Sequence, residues 1–105
     1  MNRKLIVQPR ALIDVAEIFD YFRSADPRVA MRFYDAYDAA LPLIEKFPEA
    51  GGRLLLEGYE HLDFRYVRPK GFDWYLIFYR VTDATIEVVR LLHASRDLAA
   101  ALEDR

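Results

Sequence analysis

Apolar residues recur along this chain at two different periods, and the change from one to the other divides it. Ala11, Leu12, Val15, Ile18, Phe19 and Phe22 fall at the i, i+3, i+4 spacing of an amphipathic helix. Pro9 suits the first turn of that helix, where a missing N–H costs nothing. Asp14, Glu17 and Asp20 read as lying mainly off the stripe, the first two favouring the positive helix start. A second stripe follows at Ala30, Phe33, Tyr37, Ala40, Leu41, Ile44 and Phe47. Asp26-Pro27 introduces it, with Asp26 as N-cap and Pro27 in the first turn. Pro42 predicts a kink or a loosened turn, because it has no N–H for the carbonyl of Asp38. Pro48 ends the helix, and Gly51-Gly52 are expected to give the backbone freedom to reverse direction. So short a link between the helices predicts an antiparallel hairpin.

The period then shortens to two. Residues Leu62 to Val67 alternate as a strand, and Arg68-Pro69-Lys70-Gly71 reads as a turn. From Phe72 to Asp97, two runs rich in β-branched and aromatic residues flank Thr82-Asp83-Ala84, the signal of a β-hairpin. Its first run is apolar at both parities, with Trp74, Leu76 and Phe78 on one face and Tyr75, Ile77 and Tyr79 on the other. Such a strand is covered on both sides, or keeps one side for a partner. Trp74, Tyr66, Tyr75 and Tyr79 read as core and sheet-face packing, with a platform for stacked bases as the lesser alternative. Residues Arg3 to Gln8 form a short first strand. Arg53 to Glu60 read as a loop tucked in by Leu54, Leu55 and Leu56, and Asp97 caps a last helix from Leu98 to Glu103. The order β-α-α-β-β-β with a short C-terminal helix predicts an α+β fold. An N-terminal strand and a two-helix hairpin should pack on a four-stranded antiparallel sheet, whose last three strands form a meander.

Composition narrows the picture. The 105 residues are 53% hydrophobic and 14% aromatic, which fits one folded domain over 1–105. The chain has no cysteine, which excludes disulfides and thiolate chemistry. His61 and His93 alone leave little for a zinc site, so neither a metal nor a cofactor is expected. The longest apolar run, Trp74 to Tyr79, is far below the ~20 residues of a membrane span. The N-terminal apolar run is too short for a signal peptide, so a cytoplasmic protein is expected. Net charge is −2, yet residues 65–96 carry +3 and the remainder −5. That segment suits an anionic target or an acidic protein partner, unless it only solvates an open strand face.

Candidate chemistry gathers where the hairpin ends. His93 and Arg96 follow the last strand, and Arg65, Arg80 and Arg90 on neighbouring strands read either as a basic stripe or as side chains that solvate an open face. Arg96 is read equally as a functional cation or as the partner of Asp97, Glu103 or a helix carboxylate. His93 is read first as satisfying loop groups, since no neighbour in the sequence is placed to tune it. Tyr21, Tyr34 and Tyr37 offer either an aromatic surface for a partner or rings at the helix–sheet boundary.

The order and spacing of several motifs resemble one family. They are Pro9 to Ala11 followed by Asp14-Val15-Ala16-Glu17-Ile18-Phe19-Asp20-Tyr21, then Pro27 and Ala30 with Arg32-Phe33, then Phe47 through Arg53. Leu76-Ile77-Phe78-Tyr79-Arg80 and Leu91 through Asp97 complete the set. From about Lys4 to Leu98 the chain resembles the RelE/ParE superfamily of toxins from bacterial type II toxin–antitoxin systems, and the ParE branch more than the RelE branch. That resemblance implies growth inhibition by contact with DNA gyrase, without enzymatic activity. It also implies a role in plasmid stabilization and neutralisation by a cognate antitoxin in a hetero-oligomer. Such antitoxins join a DNA-binding N-terminal half to a segment that folds onto the toxin. The alternative is a ribosome-dependent mRNA endonuclease of the RelE type, with Arg96 and His93 as its catalytic candidates. Tyr75 stands where many such nucleases carry a sheet arginine, and Leu102 near their late tyrosine, which favours the gyrase reading.

Overall fold

The computed structural model describes residues 3–103, in the order β1 (Lys4–Val7), α1 (Pro9–Ala25), α2 (Pro27–Lys46), β2 (Gly52–Leu54), β3 (Asp63–Val67), β4 (Tyr75–Val81), β5 (Thr85–His93) and α3 (Leu98–Glu103). A 3₁₀ turn at Pro48–Ala50 precedes β2. The sheet order is β1-β5-β4-β3-β2. This is the expected α+β architecture with two refinements. The sheet has five strands, because Gly52–Leu54, read as turn and loop, pairs antiparallel with Phe64–Tyr66. And β1 runs parallel to β5, Lys4 opposite Thr85 and Val7 opposite Val88. A strand separated from its partner by the whole chain carries no local signal of direction, whereas the tight turns of the meander dictate theirs.

Asp26 joins the two long helices single-handed. Its backbone N–H closes α1 on the Phe22 carbonyl at 2.8 Å, and its carboxylate accepts from Arg28 N–H at 2.9 Å to open α2. α2 runs on through Pro42, which is exposed, so the helix continues past the residue expected to loosen it.

Both faces of the sheet are covered, the first of the two readings that the double parity of β4 allowed. On one face Ile77, Tyr79, Ile86, Val88 and Leu91 pack against Ala11, Val15, Phe33, Tyr37 and Ile44 of the helical hairpin. On the other, Phe64, Phe78, Val89 and Leu92 lie beneath Ala101 and Leu102 of α3, with Leu54 and Leu56 beside them. Leu55 between them is 70% exposed, so the leucine run tucks in only at alternate residues. A bulge adjusts β5 to both layers. Tyr79 faces Val88 while Phe78 faces Arg90, so Val89 is the extra residue.

Gly51 and Gly52 serve a different purpose from the one expected. Gly51 has ordinary extended backbone angles, φ −68° and ψ 153°. A Cβ on it would stand 2.1 Å from the Tyr79 hydroxyl, and one on Gly52 2.6 Å from the Tyr66 ring. They are the spaces into which two tyrosines press, and the Tyr79 hydroxyl uses that space to donate to the Pro48 carbonyl at 2.6 Å. No helix among the described residues is long and apolar enough to cross a membrane.

Candidate functional site

Where β1 ends, the outer edge of β5 loses its neighbour strand, and a side chain takes its place. Gln8 N–H makes the last backbone bond, to the Val88 carbonyl at 2.9 Å. Beyond it, Leu91 N–H donates to the carboxylate of Asp14 at 3.0 Å. The same carboxylate receives Arg90 Nε at 2.7 Å and Nη2 at 3.1 Å, a two-pronged pair. Arg10, one turn earlier on α1, adds a bond at 3.0 Å. The remaining arm of Arg90 donates to the Ala101 carbonyl of α3 at 2.6 Å. Arg90 is 1% and Asp14 5% exposed. One ion pair therefore ties α1, β5 and α3 together around an open strand edge.

This arrangement corrects two expectations. Asp14 is a core residue of α1, and Arg90 is no part of a surface stripe. The signal lay in the sequence: Asp14 sits three residues after Ala11 and four before Ile18, within the apolar stripe, and Arg90 interrupts Val88-Val89-Leu91-Leu92. Burying either charge alone would cost several kcal/mol, so two opposite misfits in buried segments point to each other.

The other predicted arginines do not form a stripe either. Arg65 lies on the helix face of β3 and is spent on structure, with Nε on Asp63 at 3.0 Å and Nη1 on the carbonyls of Glu49 at 2.8 Å and Gly51 at 3.2 Å. Arg80, one residue beyond Tyr79 on β4, turns to the opposite face and is half-buried. Arg96 is exposed beyond the end of β5. Alternation and the bulge distribute the four among both faces, the core and one end.

Two concave surfaces border α1. The first is an apolar groove of about 550 Å³ between α1 and α2, lined by Leu12, Val15, Phe19, Met31, Tyr34 and Tyr37. Leu12 and Met31 are each more than half exposed, although both are large and apolar. Tyr37 is buried at its floor and Tyr34 stands open at its side, so only part of the predicted tyrosine surface is available to a partner. Burial pushes the Tyr37 hydroxyl above the usual tyrosine range, with Tyr34 and Asp38 adding to the effect.

The second is a polar cleft of about 330 Å³ at the C-terminal end of β5. Arg10, Glu17, Tyr21, Tyr75, His93 and Arg96 line it, with Asp14 and Leu91 beneath. Here His93 and Arg96 do come together, as lining residues of one cleft. Ser95 N–H donates to His93 Nδ1 at 3.1 Å, and the Ser95 hydroxyl lies 2.8 Å from the same nitrogen. An acceptor Nδ1 puts the proton of the neutral ring on Nε2. Trp74 stands beside the cleft with its ring parallel to His93, 4° apart in plane and 6.4 Å between centroids. It is 72% exposed, so the reading of Trp74 as core packing is corrected. Trp74 lies one residue before β4, in the turn that leads into the strand. Burial raises the Tyr75 hydroxyl above its usual range, which keeps it protonated and able to donate. Among the described residues no group of three acidic or histidine side chains is arranged to hold a metal ion.

A strand, a helical hairpin and a meander closed by a short helix define a known fold. It matches, with a TM-score of 0.72 and 15% identity, a structure described as the chromosomal ParDE TA system from P. aeruginosa, over 88% of this chain and 96% of that one. At that identity the likeness is one of fold. The sequence decides the family: the family model for the ParE toxin of the type II toxin–antitoxin system parDE matches residues 5–98, and the chain belongs to that family. A comparison with curated protein sequences finds no significant match.

Proposed function

We propose that this protein inhibits growth by contact with DNA gyrase in the cytoplasm, and that a cognate antitoxin neutralises it by occupying the groove between α1 and α2. The observation that carries the antitoxin part is the groove itself. Leu12, Phe19, Met31 and Tyr34 present an apolar strip between two helices, and its residues sit at helical spacing. An amphipathic helix from the antitoxin would bury that strip by the helix-in-groove mode of recognition. The ParDE name of the P. aeruginosa structure, a toxin–antitoxin system of the same fold, agrees with a two-protein assembly.

Contact with a protein target needs no catalytic set, and the side chains here support that reading. Metal-free RNA cleavage requires groups that activate the 2′-hydroxyl, stabilise the phosphate and protonate the leaving oxygen. Arg65 and Arg90 are committed to internal partners, and Leu102 of α3 is buried against the sheet. Arg80 and Arg96 are the two of the four expected arginines left for a partner. The deciding experiment adds the purified protein to gyrase, plasmid and ATP, and in parallel to ribosomes programmed with mRNA. Relaxed or cleaved plasmid with intact mRNA is expected. Intact supercoiling together with mRNA cut in the ribosomal A site would replace the gyrase reading with the nuclease one.

A further inference from the structure

α2 carries more apolar surface than its packing uses, and the excess is not all in the groove. Ala40, Leu43 and Ile44, with Phe47 at the C-cap, recur at the i, i+3, i+4, i+7 spacing of a second strip. Ile44 is buried, but Leu43 is 61% and Phe47 53% exposed. Leu43 lies nine residues beyond Tyr34 of the groove, about two and a half turns, so the two stand on opposite flanks of the helix. Across a hollow of about 300 Å³ the strip faces Val67 and Arg68 at the end of β3, and Arg68 is its only charged wall.

Arg68 is held in place without being neutralised. Its Nε donates to the Asp73 carbonyl at 3.0 Å, and its guanidinium lies over the Tyr66 ring, 5.4 Å from the centroid. Those contacts fix the guanidinium and leave its Nη donors, and among the described residues it makes no ion pair. Lys46 adds a second cation at the mouth, its Nζ 5.4 Å from the centre of the Phe47 ring.

From this pairing of an apolar hollow with a fixed guanidinium we infer that this flank of α2 is where the toxin grips its protein target. The target's segment sets an apolar side chain between Leu43 and Phe47 and a carboxylate on Arg68. Exposed leucine and phenylalanine gain by being covered, and a pre-positioned guanidinium receives a carboxylate with two donors. Two such side chains are too little for a stable dimer of this chain, which needs about 1,200 Å² or more of buried surface. They are the size of anchors within a larger contact. The inference rests on the reading that the protein acts by protein contact, and adds where that contact is made. An antitoxin helix in the groove, about 10–12 Å across, would bar a large target from α2 without touching Leu43 or Arg68.

Leu43→Gln removes the apolar anchor but keeps a good helix former, and Arg68→Glu reverses the fixed charge. Both side chains are exposed. Wild type, these two variants and the groove variant Leu12→Asp are compared for growth arrest on induction and, as purified proteins, for inhibition of gyrase supercoiling. Leu43→Gln and Arg68→Glu should each need about tenfold more protein for half-inhibition and arrest growth weakly. Their unfolding midpoints and antitoxin affinity should match the wild type, and Leu12→Asp should inhibit as the wild type does. If wild type arrests growth but leaves gyrase active, the gyrase reading fails, and growth arrest alone decides this inference. Full arrest by either folded variant overturns it, as does a wild type that arrests nothing. Antitoxin affinity lost in the same variants gives the flank to the antitoxin and overturns it too. So does a wild-type dimer in sedimentation velocity that Leu43→Gln dissolves, which gives the flank to a second copy.

Discussion

The groove and the cleft lie on two sides of one helix, and they differ in almost everything else. α1 gives Leu12, Phe19 and Asp20 to the groove, and Arg10, Glu17 and Tyr21 to the cleft. The groove is apolar area with few polar atoms; its exposed leucine and methionine gain by being covered, whatever chain covers them. The cleft is built the other way, on a buried ion pair with the exposed guanidinium of Arg96 at its wall. A surface of the first kind supplies affinity through area. One of the second kind selects a ligand by charge and shape. The contrast teaches that the 3.6-residue period can present two surfaces of unrelated chemistry from the same seventeen residues of α1.

The sharpest way to break the comparison is beneath the cleft. Asp14→Ala leaves Arg90 charged and buried, and also strips Leu91 N–H of its acceptor. Loss of one partner of a buried pair costs about 3–5 kcal/mol, to be read as a lower urea midpoint. Replacing both Asp14 and Arg90 with apolar residues of similar volume should recover much of that loss, because no lone charge remains.

A change in the groove should do the opposite, sparing stability and striking at binding. Leu12→Asp places a charge on a side chain that is 55% exposed, so the unfolding midpoint should hold within about 0.5 kcal/mol of the wild type. Affinity for the antitoxin should fall by about 2 kcal/mol, roughly thirtyfold, in a calorimetric titration. Arg96→Ala in the same titration should bind as the wild type does.

The smallest effect is one of alkaline pH, and it touches both surfaces. Tyr37 at the groove and Tyr75 at the cleft are each raised above the ordinary tyrosine value of 10.0, chiefly by burial. A pKa raised on folding contributes stability that is fully present below the unfolded value and is lost as pH rises through the folded one. Ultraviolet titration of tyrosinate should therefore show these two hydroxyls, and that of core Tyr79, which burial raises likewise, ionising last, with unfolding midpoints declining only above pH 10. Tyr37→Phe and Tyr75→Phe should each remove one late-titrating phenol and soften that decline.

Much of the scaffold was legible because local rules and the global fold agree. Asp26-Pro27 marked the helix junction, and the apolar parities of Trp74 to Tyr79 allowed either two covered faces or one kept for a partner, of which the fold shows the first. What stayed hidden was set by distance or by geometry that leaves no pattern. The parallel partner of β1 lies some eighty residues away. The bulge at Val89 resets the alternation in β5, and Arg90, read together with the other strand arginines as a surface cation, lies in the core instead. Gly51 and Gly52 looked like a turn, because a glycine chosen for the ring pressed against it reads the same as one chosen for its backbone freedom. Of the candidate site, His93 and Arg96 were visible as a polar cluster at a strand end. Trp74 was assigned to the core because aromatic residues in strands usually pack there, and nothing in the run tells that the strand starts one residue after it.

The most direct test of the account pits the two surfaces against each other in living cells. Wild-type protein, Leu12→Asp and Arg96→Ala are each induced with and without co-expression of a cognate antitoxin. If the groove is the neutralising surface, the antitoxin restores growth to cells making wild type or Arg96→Ala, and cells making Leu12→Asp stay inhibited despite it. Full rescue of Leu12→Asp by the antitoxin would contradict the assignment of the groove and move the interface elsewhere on the fold.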